Sequence, residues 1–150
     1  MSAQVTISPR PSLSAAVKLL ASAQLPTDDL TAEHCKHFFF AGSPAEPTGL
    51  VGLELFGDVA LLRSLVVSAA RRGGGEGSLL LRHAEDHARA QGVRTLYLLT
   101  TTAEPFFAKH GYQRAARDTA PDAIRTTREF AGICPASSAF MARNLVDGPA

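Results

Sequence analysis

Four of the twelve glycines fall between Gly73 and Gly77, in Arg71-Arg72-Gly73-Gly74-Gly75-Glu76-Gly77-Ser78. The run separates an apolar stretch ending at Val67 from a helical stretch starting at Ser78. Glycine admits positive φ and lets backbone approach a ligand closely. The unpaired N–H groups of a helix start, with the helix dipole, favour an anion at the same place. Two arginines add positive charge, so the natural occupant is a phosphate or pyrophosphate. A P-loop would need Lys before Ser78. A dinucleotide fingerprint would need Gly at position 78 and a place after the first strand. Neither pattern is met. Glu54 is a lone carboxylate within Gly52-Leu53-Glu54-Leu55-Phe56. Such a group faces solvent from an alternating strand, or lines a cleft as a general base. Arg63 interrupts the apolar run from Val59 to Val67. A buried guanidinium must be paired, and Glu54 on the neighbouring strand could be the partner. It could also grip a carboxylate or similar oxyacid through two parallel bonds. The two readings of Arg63 are compatible. Thr100 ends an apolar run, where ligands bind in parallel sheets; its plainer reading is β-propensity. His83 and His87 stand four apart on a helix, a metal pair or a solvated face. Without a third ligand no metal is expected. Cys134 precedes Pro135, and without a paired histidine it reads as a buried thiol.

The elements that must position these residues follow from periodicity. Leu13, Ala16, Val17 and Leu20 predict an amphipathic helix with Ser12 as N-cap and Pro26 beyond its end. A short helix could start at Thr27, with Asp28 and Asp29 suiting its N-terminus. His37–Ala41, Gly49–Phe56 and Val59–Val67 read as strands, the last two joined by a Gly57-Asp58 turn. Ser78–Ala90 reads as a helix that buries Leu80, Leu81, Ala84 and Ala88, with Arg82, Glu85, Asp86 and Arg89 outward. Gly92 stops it, and Val93–Thr100 is the next strand. Strand, glycine loop, helix and strand make a βαβ unit, so these two strands are expected to be parallel. Ala103–Lys109 reads as a short helix ending at Gly111. A helical patch from Pro121 to about Phe130, a strand over Ser138–Leu145 and a frayed end from Val146 complete the chain.

Composition sets the outer limits. A chain of 150 residues, 45% hydrophobic and 19% charged, is expected to form a single domain over 1–150. A net charge of +1 and a pI near 7.9 exclude a general nucleic-acid binder. No apolar run reaches the roughly 20 residues of a membrane span, and Met1–Pro11 lacks the form of a secretion signal. With two cysteines and no CxxC spacing, the expectation is a cytoplasmic protein with reduced thiols.

Arg72–Gly77 fits the R/Q-x-x-G-x-G/A signature of the GNAT (GCN5-related) N-acetyltransferases. Leu65-Val66-Val67 precedes it and Ser78-Leu79-Leu80-Leu81 follows it, as in that family. Glu104-Pro105-Phe106-Phe107-Ala108-Lys109-His110-Gly111-Tyr112 also resembles the family's short helix and Gly-aromatic turn. The resemblance covers roughly residues 45 to 145. It implies an α/β (α+β) fold: a central, mixed, mostly antiparallel twisted sheet with a splayed parallel strand pair, flanked by helices. It implies acetyl-CoA as cosubstrate. Backbone N–H groups of Arg72, Gly73, Gly74, Gly75, Glu76, Gly77 and Ser78 would hold the pyrophosphate. Leu65, Val66 and Val67 would pair with the pantetheine arm. Glu76 stands where the family usually has an apolar residue, and is expected to face solvent. Phe107 stands where many members carry the tyrosine acid, so that role is not carried over. Tyr112 reads as a packed aromatic.

Acetyl transfer to an amine needs the amine deprotonated, which makes Glu54 the general-base candidate. Arg63, Thr100 and His37 are the candidates for acceptor contact. Gly57–Ser64, Leu96–Thr100 and Cys134-Pro135-Ala136 resemble the N-acetyltransferases of arsenic-resistance operons, themselves similar to N-acetylglutamate synthase-type enzymes. That resemblance implies a small amino-acid-like acceptor such as arsinothricin, phosphinothricin or glutamate. Specificity would sit in the N-terminal helices and in Arg117–Pro135, and a homodimer is compatible with the family. Two other readings remain open: a non-catalytic acyl-CoA sensor on the same scaffold, and a nucleotide-binding module.

Overall fold

The computed structural model describes residues 6–25, 27–133 and 138–146. Ser12 Oγ accepts the Ala15 N–H at 3.2 Å and starts α1 (Leu13–Ser22), which buries Ala15, Ala16, Leu19 and Leu20. The second helix is displaced from its expected start. Thr31, not Thr27, caps α2 (Ala32–Cys35), and a reciprocal bond joins the Thr31 N–H to His34 Nδ1. Asp29 lies two residues before that cap and is buried.

Among the described residues seven strands hydrogen-bond in the order β1-β2-β3-β4-β5-β7-β6. They are β1 (Ile7–Pro9), β2 (Phe38–Gly42), β3 (Pro47–Phe56), β4 (Val59–Val67), β5 (Thr95–Thr100), β6 (Gln113–Arg114) and β7 (Ala139–Asn144). The sheet is mixed, and its parallel ladder joins β4 to β5, Val59↔Thr95 through Leu61↔Tyr97. The other registered pairs, β1–β2, β2–β3, β5–β7 and β6–β7, are antiparallel. The short strands β1 and β6 carry no periodic signal long enough to read in sequence.

By its contacts the chain divides into two compact units, Met1–Glu54 with Leu62–His87 and Leu55–Leu61 with Ala88–Ala150. In the first, Phe38 and Phe40 point to one side of β2 and join Ala16, Leu19, Leu20, Cys35, Leu50 and Val66. Phe39 points to the other side, its ring edge-on to His83 and His87 at 4.6 and 4.9 Å. Those histidines belong to α3 (Glu76–Ala90). Alternation along one strand thus serves two layers of helix. The outward stripe of α3 is narrower than expected, because Glu85 is buried beside Leu81 and Ala84 while Arg82, Asp86 and Arg89 are exposed. Helical positions 80, 81, 84, 85 and 88 share one broad face, which takes Glu85 in.

In the second unit, Leu61, Ala120, Ile124 and Phe140 form a core with Tyr97 and Phe130 against it. The short helix α4 (Glu104–Lys109) buries Phe107, whose ring meets fully buried Tyr112 at 5.6 Å. The expected patch over 121–130 is instead α5 (Asp122–Arg125) and a wide helical turn, Glu129–Ile133. Thr126 ends α5, its hydroxyl bonding back to the Asp122 carbonyl. Cys134, Pro135, Ala136 and the segment after Val146 lie outside the described residues.

Candidate functional site

β4 ends at Val67 and the chain then turns through a short helical turn, Ala69–Arg71, into the glycine run. Gly73 and Gly75 take φ of +86° and +83°, and a Cβ on either would meet nothing within 4 Å. The left-handed backbone and the open space on its outer side are what a backbone cradle needs. Leu79 donates the first in-helix N–H, to Gly75 O at 3.2 Å. The amides of Glu76 and Gly77 belong to the first turn of α3, where an α-helix supplies no acceptor of its own. Arg72 turns back, its Nε donating to Val67 O at 3.1 Å.

Contrary to the expectation, Glu76 does not face solvent; its side chain is 3% exposed. Thr48 Oγ1 donates to its Oε1 at 2.6 Å, and Arg71 Nε reaches its Oε2 at 3.3 Å. A carboxylate in the first helical turn suits the dipole. The hydroxyl and guanidinium supply what burial takes from it. Ser68 N–H also bonds to Thr48 O at 2.8 Å. Beside Thr48, a Cβ on Gly49 would lie 2.6 Å from Leu80 Cδ1 and 3.4 Å from Glu76 Oε1. β3 therefore holds the base of the loop through one threonine and one glycine.

Farther along β3, Glu54 meets Arg63. Arg63 Nη1 donates to Glu54 Oε2 at 2.9 Å, the pairing the strand neighbours suggested. The dominant partner is Asp29, which the sequence places at a helix start. Nη1 and Nη2 reach its two oxygens at 2.5 and 2.8 Å. Nε donates to Ser64 Oγ at 3.2 Å. Side-chain exposures are 0% for Arg63, 3% for Asp29 and 13% for Glu54. Burial alone would raise the Asp29 carboxyl. The Arg63 bonds and charge, with His34 nearby, outweigh burial and hold it below the ordinary carboxylate value. Ligand atoms of Asp29, His34 and Glu54 lie within 4.8 Å of one another, a spacing that could surround a cation. The cation bonded to both carboxylates is the chain's own guanidinium. To grip an outside carboxylate, Arg63 would have to leave that fork, so the direct grip suggested by sequence gives way to an internal one.

Beside the fork the strand departs locally from its regular course. Ser64 has φ +62°, a left-handed conformation that a non-glycine residue rarely takes within a strand. It lies past the last registered parallel pair, Leu61↔Tyr97. Val66 is in the core, while Leu65 and Val67 are half-buried.

The remaining candidates are more loosely placed. His37 is exposed at the entry to β2. Thr100 ends β5, and its Oγ1 accepts the Ala103 N–H at 3.0 Å, turning the chain toward α4. His83 and His87 pack on Phe39. Burial holds the His87 imidazole below the usual histidine value, helped by His37 and His83. Asp29, His34, Thr48 and Ser64 were missed in the sequence; each acts through a tertiary partner or a backbone angle, which no local spacing displays.

The chain matches the Acetyltransferase (GNAT) family over residues 10–112, and it belongs to that family. The amino-acid acetyltransferase of Ralstonia nicotianae is 39% identical over 64 residues, 43% of this chain and 14% of that protein. The amino-acid acetyltransferase of Neisseria meningitidis serogroup A is 32% identical over 94 residues, 61% of this chain and 22% of that protein. N-acetylglutamate synthase from Neisseria gonorrhoeae, solved with coenzyme A and L-arginine, aligns at TM-score 0.79 and 26% identity. That alignment covers 95% of this chain and 34% of the synthase chain. The matched segments thus span well under half the length of each of these relatives. Among the described residues no helix is long and apolar enough to cross a membrane.

Proposed function

We propose that the chain is an acetyl-CoA-dependent N-acetyltransferase whose acceptor is the amino group of a small amino acid. The observation that carries this reading is the glycine loop. It has left-handed Gly73 and Gly75, an open outer side, the amide-rich start of α3 and a buried brace from Thr48. A pyrophosphate fits such a site, since backbone N–H groups bind it without a side chain. Gly73, Gly74, Gly75, Glu76, Gly77 and Ser78 would supply these donors together with Arg72, and Leu65–Val67 would lie along the pantetheine. The curated relatives, named as amino-acid acetyltransferases, support the acceptor class. The cosubstrate brings the activated acetyl thioester.

Glu54 is the base in this reading. Arg63, itself held by Asp29, donates to one of its oxygens, and its remaining exposure lets it meet an amine. Two carboxylates against one guanidinium leave the cluster with a net negative charge, which favours an arriving ammonium group and then accepts its proton. Arg63 is a positioning residue here. Thr48 and Glu54 lie six residues apart on β3, about 20 Å along an extended strand. That length suits a ligand with its phosphates at one end and its reacting end at the other. Phe107 and buried Tyr112 leave the leaving thiolate without an assigned side-chain acid. Arsinothricin, phosphinothricin and glutamate are the acceptors to try first. Thiol release from acetyl-CoA across these and the common amino acids is the test. Transfer to at least one supports the reading, and binding of coenzyme A with no transfer to any acceptor overturns it.

A further inference from the structure

By charge alone, Glu76 would repel the phosphates that its loop is suited to bind. Resting on the acetyl-CoA reading above, we propose the opposite: Glu76 strengthens phosphate binding by positioning Arg71, whose free guanidinium edge takes a phosphate of coenzyme A. Arg71 ends the short turn after β4, and its N–H bonds to Ser68 O at 2.9 Å. Ser68 N–H bonds in turn to Thr48 O at 2.8 Å. Through its side chain, Arg71 Nε reaches Glu76 Oε2 at 3.3 Å, and Thr48 Oγ1 donates to Glu76 Oε1 at 2.6 Å. Backbone and side chain of Arg71 thus both lead back to Thr48 on β3.

The two ends of this ion pair differ in what they leave free. The Glu76 side chain is 3% exposed and that of Arg71 is 48% exposed. Each Glu76 oxygen has a donor, whereas Arg71 makes no other side-chain hydrogen bond or ion pair among the described residues. A guanidinium carries five N–H donors in a rigid fork, so with Nε taken the four on Nη1 and Nη2 remain. That edge matches two oxygens of one phosphate. A side chain already tethered also loses less rotamer freedom on binding. Arg72 has no such tether. Its Nε turns back to Val67 O, and no carboxylate meets it among the described residues. The carboxylate of Glu76 lies on the covered side of the loop: a Cβ on Gly49 would stand 3.4 Å from its Oε1. A Cβ on Gly73 or Gly75 would meet nothing within 4 Å, which marks the open side. Glu76 therefore faces β3, where Arg71 offsets its charge, and the ligand side keeps the guanidinium edge. Coenzyme A carries phosphate oxygens in its pyrophosphate and in its ribose 3′-phosphate, and either group fits that edge.

The test is calorimetric titration of the full-length protein with coenzyme A and with dephospho-coenzyme A, which lacks only the 3′-phosphate. Arg71→Gln should weaken coenzyme A binding about 10-fold. Arg71→Lys keeps a charge but no fork, and should recover only part of that loss. Glu76→Gln keeps an acceptor for Thr48 and removes a negative charge, so charge counting alone would make binding tighter. The positioning role instead makes it weaker, by about 3- to 10-fold. In an Arg71→Gln background the same change should weaken binding no further, because Glu76 acts through Arg71. A defect seen with coenzyme A and absent with dephospho-coenzyme A assigns the fork to the 3′-phosphate; a defect seen with both assigns it to the pyrophosphate. Full affinity in Arg71→Gln, full recovery in Arg71→Lys, or unchanged or tighter binding in Glu76→Gln overturns the inference. Failure of the unmodified protein to bind coenzyme A at all would instead count against the acetyl-CoA reading.

Discussion

Arg63 concentrates the chemistry of the first unit in one side chain. Its guanidinium satisfies Asp29 through both oxygens and Glu54 through one, all with little solvent contact. Removing one member of a buried ion cluster leaves uncompensated charge behind. Arg63→Ala should therefore cost about 3–5 kcal/mol in urea unfolding; a loss under about 1 kcal/mol would mean the cluster is better solvated than its geometry shows. Glu54→Gln separates chemistry from folding. It should lower acetyl transfer by about 10²- to 10⁴-fold while acetyl-CoA still raises the melting temperature. Full activity in that variant would remove Glu54 from the mechanism.

Between residues and the whole chain stand β3 and the loop it braces. Thr48→Val removes the hydroxyl that donates to buried Glu76, and Gly75→Ala puts a Cβ on a residue at φ +83°. Each should destabilise by about 1 kcal/mol or somewhat more and raise the KM for acetyl-CoA. Unchanged KM in both variants would detach the loop from the cofactor. The same loop shows what sequence could display. Its glycines, the Ser12 cap, the strand bounds Val59–Val67 and the parallel crossover are local signals, written within a few residues of where they act. The Asp29–Arg63 fork joins positions 34 apart, and the Thr48–Glu76 bond joins positions 28 apart. In each, a residue that looked solvent-facing or helix-capping in its own neighbourhood was taken by a distant partner. The helix expected over 121–130 failed for a local reason, since Thr126 and Thr127 bond their hydroxyls to backbone carbonyls there.

Across the whole molecule, acidification should reduce stability in two stages. Burial keeps the His87 imidazole below its ordinary value of 6.5, so the unfolded chain takes up that proton first. Stability from this group is complete at higher pH and falls as pH drops through about 6.5. The Asp29 carboxyl lies below its ordinary 3.8. Its contribution is therefore present above that value and lost as pH falls through the lower folded-state value. Urea midpoints measured from pH 8 to pH 3 should show both stages, and His87→Gln should remove the upper one. An unchanged upper stage in that variant would place its origin elsewhere. Ligand binding enters the same balance: acetyl-CoA at about 100 times its Kd should add about 2.7 kcal/mol. The most direct measurement of the central claim is free thiol released from acetyl-CoA by the purified protein with a panel of amino acids, products checked by mass spectrometry. The account predicts N-acetylation of at least one amino acid, slowed about 10²- to 10⁴-fold by Glu54→Gln. Coenzyme A binding with no acetylated product from any acceptor would contradict it.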